Sequence, residues 1–258
     1  MKFSPRSSDN LENVGAVLAK ILSGANGRRK AFRTRAEYVR AVRARPIYYA
    51  MEDRSPTALG ILFRAEANIL HFYLGYAQPI DLTQVYLLFG KGFELHYHIR
   101  SGDRSDTLPH GFYDAEERRT FIYSQRGGAR SGFLATLPET ARHEIMHAHA
   151  DHSDRLVRLS AGLNEGVTEY LASPDRLSDE RYFELKAGVD VLVGAIGVRP
   201  FLEAHFNGRV DILEKAVEDR FGQGIFQRIC EAADRARRGS RNAFIDLVMT
   251  LTRPVPFA

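Results

Sequence analysis

The spacing of apolar residues changes along the first half of the chain, which predicts helices mixed with short strands. Apolar residues recur at helical spacing in three segments, 9–22, 34–45 and 59–73. Runs rich in aromatic and β-branched residues predict strands over 47–51, 84–89, 111–114 and 120–124. Glycine, proline and polar residues separate these segments, as expected for turns and loops.

The second half of the chain keeps helical periodicity almost to its end. The sequence Thr136-Leu137-Pro138-Glu139 resembles a capping box with proline in the first turn, which predicts a helix beginning there. From Asn164 onward the apolar residues keep helical spacing. We therefore predict an α+β fold, with helices and a small mixed sheet in the N-terminal half and an all-helical C-terminal half.

A cluster of basic residues near the N-terminus indicates a domain boundary. Residues 1–45 are predicted to form a basic helical extension, and residues 46–258 the main domain, with an α+β part over 46–160 and a helical part over 161–258. The clustered residues are Arg28, Arg29, Lys30, Arg33, Arg35, Arg40, Arg43 and Arg45. A solvated helix face is the commonest role of such a cluster, and an acidic partner is the alternative. Because the cluster carries no base-reading pattern, we expect no nucleic-acid partner.

The composition is that of a globular chain. Of its 258 residues, 44% are hydrophobic and 26% are charged. No apolar run approaches the roughly 18–20 residues that cross a membrane, and residues 1–10 are polar, so we expect neither a transmembrane helix nor a signal peptide. The single cysteine, Cys230, cannot form an internal disulfide. These features favour a cytoplasmic protein, although export without a cleaved signal is compatible with them.

Residues 143–147 have the H-E-x-x-H pattern. Residues four apart on a helix lie one turn apart on the same face, so His143 and His147 can bind one metal ion. Glu144 follows on the same helix, where it can act as a general base without being a ligand. A surface helix with two solvated histidines is the alternative interpretation. Catalytic zinc sites commonly have three protein ligands, so a third ligand is expected downstream.

The residues downstream of this motif separate two classes of zinc peptidase. A metzincin would have glycine and histidine at positions 150 and 153, where this chain has Ala150 and Ser153. Asn164-Glu165-Gly166 instead lies at the start of a second predicted helix. Together with the spacing from His147, this motif resembles that of the gluzincins, the clan that includes thermolysin and aminopeptidase N. The resemblance implies a zincin-like fold with the metal site on the central helices, Zn2+ as the cofactor and Glu165 as the third ligand.

The same resemblance implies two supporting residues. Glu169 lies one helical turn beyond Glu165, and is predicted to accept a hydrogen bond from a ligating imidazole. Solvation of the helix, or replacement of Glu165 as the ligand, is the alternative role of Glu169. Tyr182, followed by Gly197 and Phe201-Leu202 as in the aminopeptidase-N branch, is predicted to stabilise the oxyanion, with packing as its alternative role. The other candidates for this donor are His205, Tyr123 and His110.

The remaining histidines are predicted not to bind the metal. Helical phase turns His149 and His152 away from the face that carries the two ligands. His71, His96 and His98 lie in apolar or aromatic stretches, where a core or surface role is commoner than ligation.

Two features bear on the substrate. The strands predicted at 111–114 and 120–124 resemble the segment before the metal helix in small bacterial peptidase-MA-like proteins, and such a strand can pair with an extended peptide. The Gly-x-Met-Glu-Asn signature of the aminopeptidases is missing, which favours endopeptidase action. We therefore predict a zinc-dependent peptidase acting on peptides or proteins. An inactive zinc-binding protein and a nucleic-acid-associated protein are the alternatives.

Overall fold

The computed structural model of the protein describes residues 32, 34–44, 52–89, 93–94, 97, 110–114, 116–124, 132–150, 159–173, 182–240 and 242–253. The chain divides into two units, Met1–Ala148 and His149–Ala258. The described part of the first unit contains helices and a small sheet. The described part of the second unit contains helices.

Two α-helices precede the sheet among the described residues of the first unit. α1 spans Arg35–Ala44 and begins after Thr34, whose side-chain oxygen accepts a hydrogen bond from the Glu37 N–H at 3.1 Å. α2 spans Pro56–Phe72 and begins after Ser55, which caps the N–H of Ala58. Both helices confirm predicted segments, although α2 begins earlier than predicted because Ser55 and Pro56 supply its first turn.

Three strands form the described sheet: β1 (Val85–Phe89), β2 (Gly111–Asp114) and β3 (Arg119–Ser124). Their order is β1-β3-β2, with β1 parallel and β2 antiparallel to β3. The prediction of a small mixed sheet is confirmed. Within the described residues, β2 lies at an edge of this sheet.

Aromatic residues cover one face of the sheet. The ring of Phe121 lies 5.0 Å from that of Phe112 and 5.5 Å from that of Tyr86, measured between centroids. Phe93, fully buried, lies 5.6 Å from Tyr123 on the same face. Because side chains alternate along a strand, Gly111 belongs to the opposite face.

The helix that carries the two motif histidines is longer than predicted. α3 spans Gly132–His149, and Pro138 lies inside it. The prediction that this helix begins at the Thr136–Glu139 capping box is therefore wrong. A cap pattern marks a helix start only where the preceding chain has left helical geometry, and here residues 132–135 already belong to the helix. Pro138 lacks the N–H that would otherwise bond the carbonyl four residues earlier.

Six helices account for most of the described part of the second unit: α4 (Ala161–Ala172), α5 (Phe183–Ile196), α6 (Arg199–Asn207), α7 (Val210–Phe221), α8 (Ile225–Arg237) and α9 (Ala243–Thr252). Glycines with positive φ follow α5, α6 and α7, as expected at helix C-termini: Gly197, Gly208 and Gly222. The prediction of helices from Asn164 almost to the chain end is confirmed. The predicted α+β class therefore agrees with the described residues, while a zincin-like arrangement stays a prediction.

Several predicted features lie outside the described residues. They are the helix over 9–22, the strand over 47–51, and His96, His98 and His152. The boundaries at residues 45 and 160 also stay predictions. Among the helices of the described residues, none combines the length and apolar character needed to cross a bilayer.

Candidate metal centre

His143 and His147 lie side by side on one face of α3. Their Nε2 atoms are 3.1 Å apart, and their ring centroids are 4.8 Å apart. Two nitrogen ligands of a tetrahedral zinc ion, each about 2.0–2.1 Å from it, are roughly 3.3 Å apart. The observed separation is close to that value, so the pair needs little rearrangement to bind one ion. In the absence of an ion, one ring nitrogen can donate to the other, depending on the tautomer.

The side chain of Glu144 lies against the first residue of β2. Glu144 is buried, with 6% of its surface exposed. A Cβ atom placed on Gly111 would lie 2.5 Å from Cγ of Glu144 and 2.9 Å from both Cδ and Oε1. The predicted general base is therefore held at the edge strand. Gly111 was not among the predicted site residues, although a glycine in a predicted strand is a signal of close approach.

Glu165, the predicted third ligand, belongs to α4. One oxygen of its carboxylate and one ring nitrogen from each of His143 and His147 all lie within 4.8 Å of one another. Two histidines and one carboxylate are a donor set that zinc enzymes use, so these residues fit the ion chemically.

A basic residue that the sequence reasoning missed lies beside Glu165. Nε of Arg237, in the last turn of α8, is 3.8 Å from Oε1 of Glu165. The Arg237 side chain is 49% exposed and the Glu165 side chain 16% exposed. No local pattern could have found this pair, because α4 and α8 are distant in sequence.

The start of α4 is anchored to α8 by two hydrogen bonds. The Gly162 N–H donates to Oδ1 of Asp234 at 2.6 Å, and the Ser160 hydroxyl donates to the carbonyl of Cys230 at 3.3 Å. Gly162 also lies so close to the Ala233 backbone that a Cβ atom would collide with it. Cys230 is buried at this crossing, and burial raises the pKa of its thiol. These contacts fix the position of the helix that carries Glu165.

The other acidic residue predicted for the site also lies on α4. Glu169 is one turn beyond Glu165 and is buried, with 7% of its surface exposed. Its hydrogen bond to a ligating imidazole stays a prediction. Tyr170 follows it, and burial, together with the negative charge of Asp190, raises the pKa of this phenol, which is therefore neutral at pH 7.

Tyr182 immediately precedes α5 and is half-buried. The helix after it ends at Gly197, and Phe201 and Leu202 are buried in α6, in the order that the resemblance implies. Its role as the oxyanion donor stays a prediction.

The structure argues against two of the other donor candidates. The ring of Tyr123 packs on the aromatic face of the sheet, opposite the face of Gly111 and Glu144. His205 is 1% exposed, with its ring 4.9 Å from that of Phe206, and so is inaccessible to a substrate. His110 is exposed just before β2.

The described histidines outside the motif have packing or surface positions. His149 is buried, with its ring 5.9 Å from that of Phe206, and His71 is exposed near the end of α2. Of the basic cluster, Arg35, Arg40 and Arg43 belong to α1, and the other members lie outside the described residues.

Comparisons of the chain with protein-family models, with curated proteins and with solved structures found no match. Membership of the gluzincin clan therefore stays a prediction. It rests on the H-E-x-x-H and Asn-Glu motifs, and on the geometry of His143, His147 and Glu165.

Proposed function

We propose that the protein is a zinc-dependent peptidase with His143, His147 and Glu165 as its metal ligands. The observation that carries this proposal is the proximity of the three ligand atoms, all within 4.8 Å of one another. The near-tetrahedral spacing of the two Nε2 atoms, 3.1 Å, supports it. When bound, Zn2+ supplies a Lewis acid that activates water and polarises the scissile carbonyl.

Glu144 is the proposed general base. Its carboxylate takes a proton from the attacking water and later delivers a proton to the nitrogen of the leaving amine. Because Glu144 is buried against Gly111, its carboxylate is held in place by packing before a substrate arrives. Tyr182 is the proposed donor to the oxyanion, and Glu169 the proposed partner of a ligating imidazole.

The edge position of β2 supports the choice of peptides as substrates. The Tyr123 N–H donates to the His110 carbonyl at 2.8 Å, and hydrogen-bonded pairs alternate along antiparallel strands. The backbone groups of Gly111 therefore point away from β3, toward the edge where an extended peptide can add. The missing aminopeptidase signature favours cleavage within a chain over removal of its first residue.

The test is turnover of a diverse peptide library by the wild-type protein and two variants. We expect cleavage by the wild type, near-complete loss in Glu144→Gln with zinc retained, and loss of both zinc and turnover in Glu165→Ala. Glu214→Gln, on the exposed surface of α7, is the matched control and should retain full activity. Retained turnover in Glu144→Gln would refute the assigned base. Zinc binding by a wild-type protein that cleaves no peptide would favour the inactive zinc-binding alternative.

A further inference from the structure

Gly111 occupies a position where the backbone does not require glycine. Gly111 does not have the positive φ angle that several other described glycines have, and it pairs with Ile122 in a regular antiparallel register. Glycine weakens a strand because it loses more entropy on folding and contributes no side chain to packing. A reason for glycine here must therefore come from the space around it.

That space is filled by Glu144. The three atoms nearest to a Cβ at position 111 are Cγ, Cδ and Oε1 of Glu144, at 2.5, 2.9 and 2.9 Å. Real Cβ contacts are essentially never this short, so an alanine at 111 would force the Glu144 side chain to move. The displaced atoms include the carboxylate, which is the part of the residue that exchanges protons.

We infer that Gly111 is a positioning residue for the general base and sets the place of the scissile bond along the edge strand. The inference rests on the proposed function. The missing side chain lets the Glu144 carboxylate lie against β2, beside the outward-pointing backbone groups of Gly111. An extended peptide that pairs with this edge then has its scissile bond opposite Gly111, within reach of the base.

The first test is the Gly111→Ala variant of the full chain, assayed for zinc content, kcat and KM. We expect zinc content equal to that of the wild type, KM within about twofold and kcat lower by about 100-fold, as a misplacement near 1 Å produces. Gly194→Ala is the matched control, because a Cβ at this exposed position in α5 meets nothing within 4 Å. The control should have wild-type kcat and an unchanged or higher melting temperature.

The second test needs no activity. Gly111→Ala should lower the melting temperature by about 3–10 °C, because overpacking is destabilising. In a Glu144→Ala background the obstructing atoms are gone. The fall in melting temperature caused by Gly111→Ala should then be less than about half of its value in the wild-type background. This double variant also provides a folded test molecule if Gly111→Ala alone does not fold.

Two results would overturn the inference while leaving the proposed function intact. One is a Gly111→Ala enzyme with kcat within about threefold of the wild type, well short of the expected loss. The other is an equal fall in melting temperature in both backgrounds, since position 111 would then not act through Glu144. No turnover by the wild type itself would instead overturn the proposed function, and this inference with it.

Discussion

Nε of Arg237 lies 3.8 Å from Oε1 of Glu165. This contact is the last of three that join α4 to α8. Ser160 bonds Cys230, Gly162 bonds Asp234, and Glu165 meets Arg237, so both helices advance in the same direction along the series. The hydrogen bonds between α4 and α8 thus bring Arg237 beside a proposed zinc ligand.

Removal of this positive charge should tighten zinc binding. The 3.8 Å separation is beyond hydrogen-bond range, so loss of ligand orientation is a small effect and repulsion between two cations dominates. Because the Arg237 side chain is half-exposed, solvent limits this repulsion to about 0.5–1 kcal/mol, or roughly a two- to fivefold change in Kd. We expect Arg237→Ala to bind zinc more tightly by that factor in a competition titration with a chelator.

Arg237→Lys keeps the charge and should bind zinc as the wild type does. Arg235→Ala is the charge-matched control, because Arg235 is exposed two residues earlier and so lies on another side of α8. Weaker zinc binding by Arg237→Ala alone would show that Arg237 orients Glu165 instead of repelling the ion.

Gly162→Ala should disturb the centre through packing. Its Cβ would collide with backbone atoms of Ala233 and Asp234, which cannot rotate away as a side chain can. We expect a loss of about 1–3 kcal/mol in the free energy of unfolding, measured by chemical denaturation, together with weaker zinc binding as α4 shifts. Full stability in this variant would contradict the close crossing of α4 and α8.

If Tyr182 is the donor to the oxyanion, substitutions of Tyr182 and Tyr123 should have different effects on kcat. Tyr182→Phe removes the proposed donor and should lower kcat by about 100- to 1000-fold without loss of zinc. Tyr123→Phe should leave kcat near the wild-type value, because the Tyr123 ring packs on the sheet face opposite Glu144. Steady-state kinetics on one peptide decides between them, and a larger loss in Tyr123→Phe would reverse the assignment.

The parts of the fold that follow from local pattern were predictable. α1, α2 and the three strands appear close to where hydrophobic spacing predicts them, because periodicity depends on neighbours in sequence. The spacing of His143 and His147 fixes their shared face in the same way. The start of α3 was not predictable from its capping pattern, since residues 132–135 extend the helix past that pattern.

Gly111 and Arg237 could not be predicted as part of the site, because each contacts its partner residue only through tertiary packing. Gly111 and Glu144 meet only because α3 lies over the edge of β2, and Arg237 and Glu165 meet only because α8 crosses α4. Neither pair has a fixed sequence spacing. The motifs in a single sequence predict the metal ligands and the general base. The residues that contact them, Gly111 and Arg237, can be identified only from the packed structure.

The zinc content of the purified 258-residue chain, determined by mass spectrometry after dialysis, tests the central claim most directly. We expect about one zinc ion per chain in the wild type and in Glu144→Gln, and loss of that zinc in His143→Ala, His147→Ala and Glu165→Ala. A Glu165→Ala protein that keeps as much zinc as the wild type, or a wild type that holds none after zinc loading, would contradict it.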